Sequence, residues 1–511
     1  MMFDLSRSDL TLGIVGAGIM GRGIAQVAAE AGVRVVLADA RPEAVAEALT
    51  FCADMIRRKA EKGTISEDEA AKAVGLIRKG ELYQDLAACH VVVEAVAERL
   101  DIKHEVIAGL EGAVSETCII ASNTSSLSIA GIAAKARLPE RIAGLHFFNP
   151  VPLMRLVEVI GGARTEEAVL TALTVLVHRI GHKPVRALDT PGFLVNHAGR
   201  AFGTEALRIV SEGIADFADV DRVMTEAAGF RLGPFELLDL TGLDVSHPVM
   251  ESIYHQYYEE PRHRPVVTTA QRLAAGLLGR KAGQGFYRYV NGKAEKAPEP
   301  KPPPADFSRP VWISSRFPTE ASALRLRLEK AGAKIETGIK PSPDAVAILT
   351  PLGTDATTSA LAENLDPTRC VAIDCLFDLD RRRTLMHTPA TAPDVLEATH
   401  GLLAADGTAV TVIHDSPGFI AQRIIASMVN VAAEIAQQRI ASPEDINVST
   451  EMGLGYPRGS LRFGDELGPA RILAVLDACH AFYGDPRYRA SPWLRRRAML
   501  GLPLTAPERR T

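Results

Sequence analysis

The chain has 511 residues, 47% of them hydrophobic and 23% charged, with a formal net charge of −5 and a mean hydropathy near zero. That length and apolar content predict about three domains with real cores and exclude general disorder. The charge offers no basic field for nucleic acid or an anionic membrane. Cys52, Cys89, Cys118, Cys370, Cys375 and Cys479 form no CxxC pair. They read as reduced thiols rather than a disulfide framework, and no metal site is expected. Residues 1–10 carry charges in place of an apolar signal core, and no apolar run approaches about 18 residues. The expectation is a soluble cytoplasmic protein without a membrane partner.

In chain order, Thr11–Val15 reads as a short strand, followed at once by Gly16-Ala17-Gly18-Ile19-Met20-Gly21. A helical pattern runs over 23–32, and a second β-branched strand over 33–38 ends at Asp39. This is a βαβ unit, whose two strands should lie parallel. A helical stretch is expected from about 42 to 79, broken at Gly63, then a strand at 90–95 and a helix from about 100 to 112. A strand at 118–121 runs into Ser122-Asn123-Thr124-Ser125-Ser126, one near 142–148 ends at Asn149-Pro150, and another covers 156–160. Alternation of this kind predicts a Rossmann-like, doubly wound α/β domain.

Beyond Asp189-Thr190-Pro191-Gly192-Phe193 helical spacing dominates to about Tyr289, and 291–310 carries six prolines, as an extended linker would. Asp415-Ser416-Pro417-Gly418-Phe419 then repeats the earlier pentapeptide at an offset of 226. At the same offset Ile214, Asp219, Gly229, Gly233, Asp239 and Gly242 match Ile440, Asp445, Gly455, Gly459, Asp465 and Gly468. A duplicated helical domain follows. The expected organisation is a Rossmann-like nucleotide-binding domain at 1–187, an all-α domain at 188–290 and a linker at 291–310. A degenerate Rossmann-like segment at 311–414 and a second all-α domain at 415–505 complete it.

The glycine turn carries the first chemistry. Gly16 allows the tight turn, Gly18 lets a pyrophosphate approach, Gly21 lets the helix pack on its strand, and Ile19 and Met20 open that helix. Asp39 suits ribose hydroxyls and would repel a 2′-phosphate, favouring NAD over NADP. On these residues alone FAD competes. His146 ends an apolar strand, and twelve residues later Glu158 interrupts another. Such a pair beside a nicotinamide can take a hydroxyl proton, the carboxylate orienting the ring. A core histidine and an edge-strand glutamate are the competing readings. The serine-rich turn suits a polar substrate or caps the next helix, and Asn196 could reach back across the domain boundary. The Arg57–Lys62 cluster is a solvated helix face or a hold for a phosphate-rich tail.

Together these motifs resemble the 3-hydroxyacyl-CoA dehydrogenase family. The matching stretches are Gly16-Ala17-Gly18-Ile19-Met20-Gly21-Arg22-Gly23-Ile24-Ala25-Gln26, Val92-Val93-Glu94-Ala95-Val96-Ala97-Glu98, the serine turn, residues 144–152 and 156–159, residues 189–196, and Gly233-Pro234-Phe235-Glu236-Leu237. The resemblance implies His146 as general base, Glu158 as its orienter, and Ser125 and Asn196 as partners of the reacting oxygens. It places Asp39, Glu98, Lys103 and Asn149 with the glycine turn at NAD contacts, and Lys62 near the CoA. His197 stands where arginine usually follows the asparagine. The long form, down to Phe482-Tyr483-Gly484-Asp485-Pro486-Arg487-Tyr488-Arg489, is similar to the dehydrogenases of phenylacetate catabolism that oxidise 3-hydroxyadipyl-CoA. A 3-hydroxybutyryl-CoA enzyme and a non-catalytic NAD-binding protein are the alternatives.

The second half should be silent. Its first strand opens into Arg316-Phe317-Pro318-Thr319 without a glycine turn. Aligning Arg369 with Arg141 sets Asp374 opposite His146 and Met386 opposite Glu158, and Gln422 stands opposite Asn196 at the offset of 226. The acyl-CoA is the expected partner. The two helical copies are expected either to pair within one chain, as a pseudo-dimer, or to build a homo-oligomer.

Overall fold

The computed structural model describes residues 3–508; Met1 and Met2, which begin the segment examined for a signal core, lie outside them. It divides into two compact units, one of residues 1–197 with 438–454, the other of residues 198–437 with 455–511. This division cuts across the five segments expected from the sequence, since part of the second helical copy belongs to the first unit.

The first unit is built on an eight-stranded sheet in the order β3-β2-β1-β4-β5-β6-β7-β8. Its strands are β1 (Thr11–Val15), β2 (Arg34–Ala38), β3 (Ile77–Lys79), β4 (Val91–Glu94), β5 (Ile119–Ser122), β6 (Ile142–Phe147), β7 (Leu156–Gly161) and β8 (Lys183–Leu188). All neighbours run parallel except β6 and β7. Near-continuous Val, Ile, Leu and Ala runs fit strands covered on both faces, and separate apolar clusters fill the two sides. The chain reverses direction at β1, leaving a crevice between β1 and β4 at their carboxyl ends, where open α/β sheets take ligands.

The expected helix over 42–79 is two helices and a strand: α2 (Pro42–Glu61) and α3 (Glu67–Gly75) follow α1 (Ile19–Glu30), then comes β3. Gly63 takes a φ of +69°, and Ser66 with Glu69 forms a reciprocal capping box that restarts the helix. Three residues at a sheet edge carry too little periodicity to announce β3 in sequence.

In the second unit a six-stranded sheet has the order β12-β11-β13-β14-β15-β16. Its strands are β11 (Val311–Ile313), β12 (Ile335–Glu336), β13 (Val346–Leu349), β14 (Cys370–Ile373), β15 (Arg382–His387) and β16 (Ala409–Ile413), with β14 and β15 antiparallel. The proline-rich stretch is docked rather than free. Its first residues form the strand β10 (Lys293–Glu295), paired in a hairpin with β9 (Arg288–Val290). Glu299 then pairs with Arg382 at 2.5 Å, and a Cβ on Gly401 would meet the Pro304 carbonyl at 2.5 Å. In the same unit the helices Arg200–Ser211 and Ala421–Gln437, one from each helical copy, pack together. Arg423, from the second copy, is buried at that contact and pairs with Glu205 at 2.5 Å and Glu212 at 2.7 Å.

The repeat is visible in backbone detail. Gly192 and Phe193 have φ of +76° and +47°, Gly418 and Phe419 +77° and +48°. Asp189 accepts from the N–H groups of Ile129 and Ala130, as Asp415 does from Ala356 and Thr357. Both copies contain one π-helical turn, Val223–Ala227 and Ser449–Gly453.

Candidate active site

The glycines of the turn between β1 and α1 have separate physical reasons. Gly16 has a φ of +106°, and a Cβ there would stand 2.5 Å from the Ala95 carbonyl oxygen. At Gly21 a Cβ would lie 1.8 Å from the Gly16 oxygen, so only glycine lets α1 pack this close. Gly18 is the opposite case: nothing lies within 4 Å of a Cβ placed there. Gly18 is the N-cap of α1, with no side-chain cap and no acid in the first turn, so the N–H groups and positive helix end face open space. Asp39 ends β2 and accepts from the Ala17 N–H at 2.8 Å and the Arg41 N–H at 2.9 Å. A carboxylate anchored beside an open helix start fits an adenosine ribose and diphosphate, which is what NAD presents. Met20 turns its side chain into the core and offers the turn only its backbone.

His146 on β6 and Glu158 on β7 are directly opposed in the antiparallel register. His146 Nδ1 and Glu158 Oε2 are 2.6 Å apart. Glu158 is fully buried, and its other oxygen accepts from the N–H groups of Leu194 at 3.0 Å and Val195 at 2.8 Å. Those hydrogen bonds compensate an otherwise costly buried carboxylate. The Phe148 and Phe193 rings flank the imidazole, with centroids 4.4 and 6.0 Å away. Glu158 is the titratable group facing it. With Nδ1 held by the carboxylate, Nε2 is the nitrogen able to exchange a proton with a ligand. Asn196 follows Val195 and is half-buried.

Glu98 organises the serine turn. Its Oε1 accepts from the Thr124 hydroxyl at 2.7 Å and from the N–H groups of Ser125 at 2.8 Å and Ser126 at 3.0 Å. Ser125 Oγ is 3.3 Å from the same oxygen. Burial works to raise the Glu98 pKa, but the Thr124 hydroxyl, the Lys103 charge and the turn's N–H groups outweigh it and hold it below its ordinary value. Lys103 is 1% exposed, with Nζ 2.9 Å from both oxygens of Glu94 and 3.4 Å from Glu98. Burial pushes the Glu94 carboxyl up despite that ammonium. Sequence reasoning gave no role to Glu94, although an acid ending the run Val91-Val92-Val93 was its signal. Asn123, whose Oδ1 accepts from the Phe147 N–H at 2.9 Å, ties the serine turn to the His146 strand and was also unassigned.

Ile19 and Asn149, expected at the cofactor, and Lys62, expected near the CoA, line one cleft of about 490 Å³. Arg22, Arg58 and Lys59 stand on its basic side, and Phe51, Met55 and Leu153 give it an apolar wall. Lys59 is paired with Glu30 at 2.6 Å, and the Arg22 guanidinium lies 3.9 Å over the Phe51 ring. Basic and apolar groups together suit a long ligand with phosphates at one end.

The counterpart site in the second unit differs from expectation in one respect. Asp374 does take the place of His146, but the strand register sets it across from Thr384, whose carbonyl accepts the Asp374 N–H at 3.2 Å. Met386 faces Ala372 instead. The connection is two residues shorter than in the first sheet, so a single alignment offset cannot serve both strands. Asp374 is buried and receives Gln422 Nε2 at 2.9 Å.

A parallel-sheet crevice with an open glycine turn, a ribose-sized acid and a histidine–carboxylate pair defines a dinucleotide-dependent oxidoreductase. The family model described as 3-hydroxyacyl-CoA dehydrogenase, NAD binding domain, matches residues 11–190. The corresponding C-terminal domain matches twice, over 192–289 and 418–506. The chain is 33% identical to a 3-hydroxyadipyl-CoA dehydrogenase of Escherichia coli K12, over 96% of this chain and 98% of that protein. It is 37% identical to the mitochondrial hydroxyacyl-coenzyme A dehydrogenase of Homo sapiens, over 54% of this chain and 90% of that one. A crystal structure of 3-hydroxybutyryl-CoA dehydrogenase from Escherichia coli K12 superimposes with a TM-score of 0.84 at 31% identity, covering 96% and 98% of the two chains. The chain belongs to the 3-hydroxyacyl-CoA dehydrogenase family, and its cofactor is NAD. Among the described residues no helix is long and apolar enough to cross a membrane.

Proposed function

We propose that this enzyme oxidises an (S)-3-hydroxyacyl-CoA of dicarboxylic type, 3-hydroxyadipyl-CoA, in cytoplasmic phenylacetate breakdown, with His146 as the general base. The observation that carries the catalytic assignment is the buried 2.6 Å His146–Glu158 pair in the same unit as the glycine turn. The substrate assignment rests on similarity along nearly the whole length to the protein named for that substrate. The name of the structural relative favours 3-hydroxybutyryl-CoA as the second reading.

What bound NAD supplies is the acceptor for the hydride leaving C3. His146 Nε2 accepts the C3-hydroxyl proton, and Glu158 stabilises the imidazolium that results. Ser125 and Asn196 hydrogen-bond the reacting oxygens. The open N-terminus of α1 takes the pyrophosphate, and Ile19 and Asn149 flank it. Asp39 receives the ribose hydroxyls and rejects a 2′-phosphate. Glu98 shapes the serine turn, and Lys103 holds Glu98 in place. Lys62 takes a phosphate of the CoA. The two helical copies pair within the chain, in place of the homodimer that a single copy would need.

The test is a panel of thioesters. Purified enzyme should oxidise NADH with acetoacetyl-CoA, and 3-hydroxyadipyl-CoA should give a higher kcat/KM than 3-hydroxybutyryl-CoA. Preference for the shorter substrate would reverse the substrate assignment, and no turnover with either thioester would remove the catalytic one.

A further inference from the structure

Residues 438–454 come from the second helical copy, yet they are built into the first compact unit. Three contacts fix them there. The Ile440 carbonyl accepts from the Leu188 N–H at the end of β8, at 2.9 Å. The helix Pro443–Val448 packs on β8. Gly453, closing the turn Ser449–Gly453, lies against the catalytic strand itself. A Cβ at Gly453 would stand 3.0 Å from Leu156 Cδ2 on β7 and 3.0 Å from each Val195 methyl.

Val195 is not an incidental neighbour. Its backbone N–H donates to Glu158 Oε1 at 2.8 Å, and Asn196 comes next in the chain. One stiff β-branched side chain therefore connects Gly453 to the group that holds the glutamate. In the first copy, 226 residues earlier, the same position is Ala227, which closes the turn Val223–Ala227. That turn packs against β15, where Thr384 takes the place of Glu158. The position lacks a side chain only in the copy whose turn abuts the His146–Glu158 strand.

We infer that the second helical copy is a positioning element of the active site, with Gly453 admitting the close approach that seats Val195 and so aims its N–H at Glu158. Gly453 acts through Val195 and touches neither substrate nor cofactor. The inference rests on the reading of His146 as the base. It gives the non-catalytic copy a task in the reaction beyond occupying a pairing surface.

Gly453→Ala tests it. The crowded Cβ, 3.0 Å from Leu156 and Val195, offsets the gain of about 1 kcal/mol that a helix takes from alanine over glycine, so melting temperature does not discriminate, and a purely structural role predicts unchanged chemistry. The positioning role predicts kcat lower by about tenfold, because a displaced N–H misplaces Glu158 and His146, with KM for NAD unchanged. A glutamate that has lost an N–H presents more negative charge to the imidazole. The His146 signal, followed by NMR, should therefore titrate about half a unit or more higher. The ascending limb of kcat/KM should move with it, because the base must be neutral. Adding Val195→Ala, which removes the two obstructing methyls, should restore both values, and Ala227→Gly should change neither. A Gly453→Ala protein with wild-type kcat and an unmoved His146 titration overturns the inference. The NMR arm reads the same answer even if no thioester is turned over, which separates this inference from the choice of reaction. If Gly453→Ala melts early, Val195→Ala alone opens the same contact. A His146 titration unmoved by that variant would equally overturn the inference.

Discussion

In the first sheet a histidine faces a glutamate across β6 and β7; in the second, Asp374 faces Thr384 at the corresponding place. The helical copies attached to them kept their turns, caps and π-helical distortions, whereas the second sheet lacks two strands, the glycine turn and the histidine. The difference teaches which constraints survive duplication. A helical copy remains useful as a packing partner, so Asp239 still gathers the N–H groups of Phe286 and Tyr287 as Asp465 does those of Leu504 and Thr505. A second nucleotide crevice has no such use. Its first strand now opens into Arg316 and Phe317, and Ser314 is engaged with Glu363 at 2.7 Å.

The contacts between copies are reciprocal in backbone and asymmetric in charge. Leu188 donates to Ile440, and His414 donates to Ile214, the same bond with the copies exchanged. Arg423, by contrast, has His197 as its repeat partner, and Glu205 has Val431, so the buried pair exists once. The largest expected effect follows. Arg423→Ala leaves the buried Glu205 with the more distant Arg487, 3.6 Å away, as its cation and should destabilise the second unit by about 3–5 kcal/mol, read by urea unfolding. Adding His197→Arg will not compensate, and recovery by it would contradict an asymmetric contact between the copies.

His146→Ala should lower kcat by at least about 100-fold with the melting temperature preserved, while Asp374→Ala leaves kcat alone. Equal losses from the two variants would contradict the division into an active and a silent sheet.

Asp374 sharpens the comparison through pH. Burial raises its pKa from 3.8 to about 6, against the opposing hydrogen bonds from Gln422 and Leu376. The folded state thus binds a proton that the unfolded state has lost, and stability falls as pH rises from about 4 to about 6. Asp374→Asn keeps the acceptor for Gln422 without the charge. It should add about 3 kcal/mol at pH 7 and nothing below about pH 4. A uniform gain at all pH values would point to packing instead.

The smallest effect expected concerns the cofactor. Asp39→Ser should raise kcat/KM with NADPH about tenfold, for removal of one repelling charge, and calorimetry should count one NAD per chain. Two equivalent sites would mean that the second sheet also binds the nucleotide.

Much of the site was legible before any fold was known. The spacing of Gly16, Gly18 and Gly21 after a strand named the turn, and Glu158 drew notice as an acid within an apolar run. What sequence hid were the groups supplied by backbone or by distant segments. The Leu194 and Val195 N–H groups carry no residue signature, and Glu94 with Lys103 is a pair only because β4 and α4 (Leu100–Ala113) meet. The pairing of Asp374 with Thr384 depended on a register that a shortened connection had shifted.

The sequence by itself determined the order of elements, the duplication, the dinucleotide turn and the histidine–glutamate pair proposed here as base and orienter, because each is written in local spacing and residue type. Only the tertiary structure decided where the second copy's residues 438–454 belong. Its turn Ser449–Gly453 and its single glycine are compatible with more than one covered face. Which face it covers is fixed by long-range fit, a Gly453 small enough to meet Leu156 and Val195 and an Ile440 carbonyl placed at the end of β8.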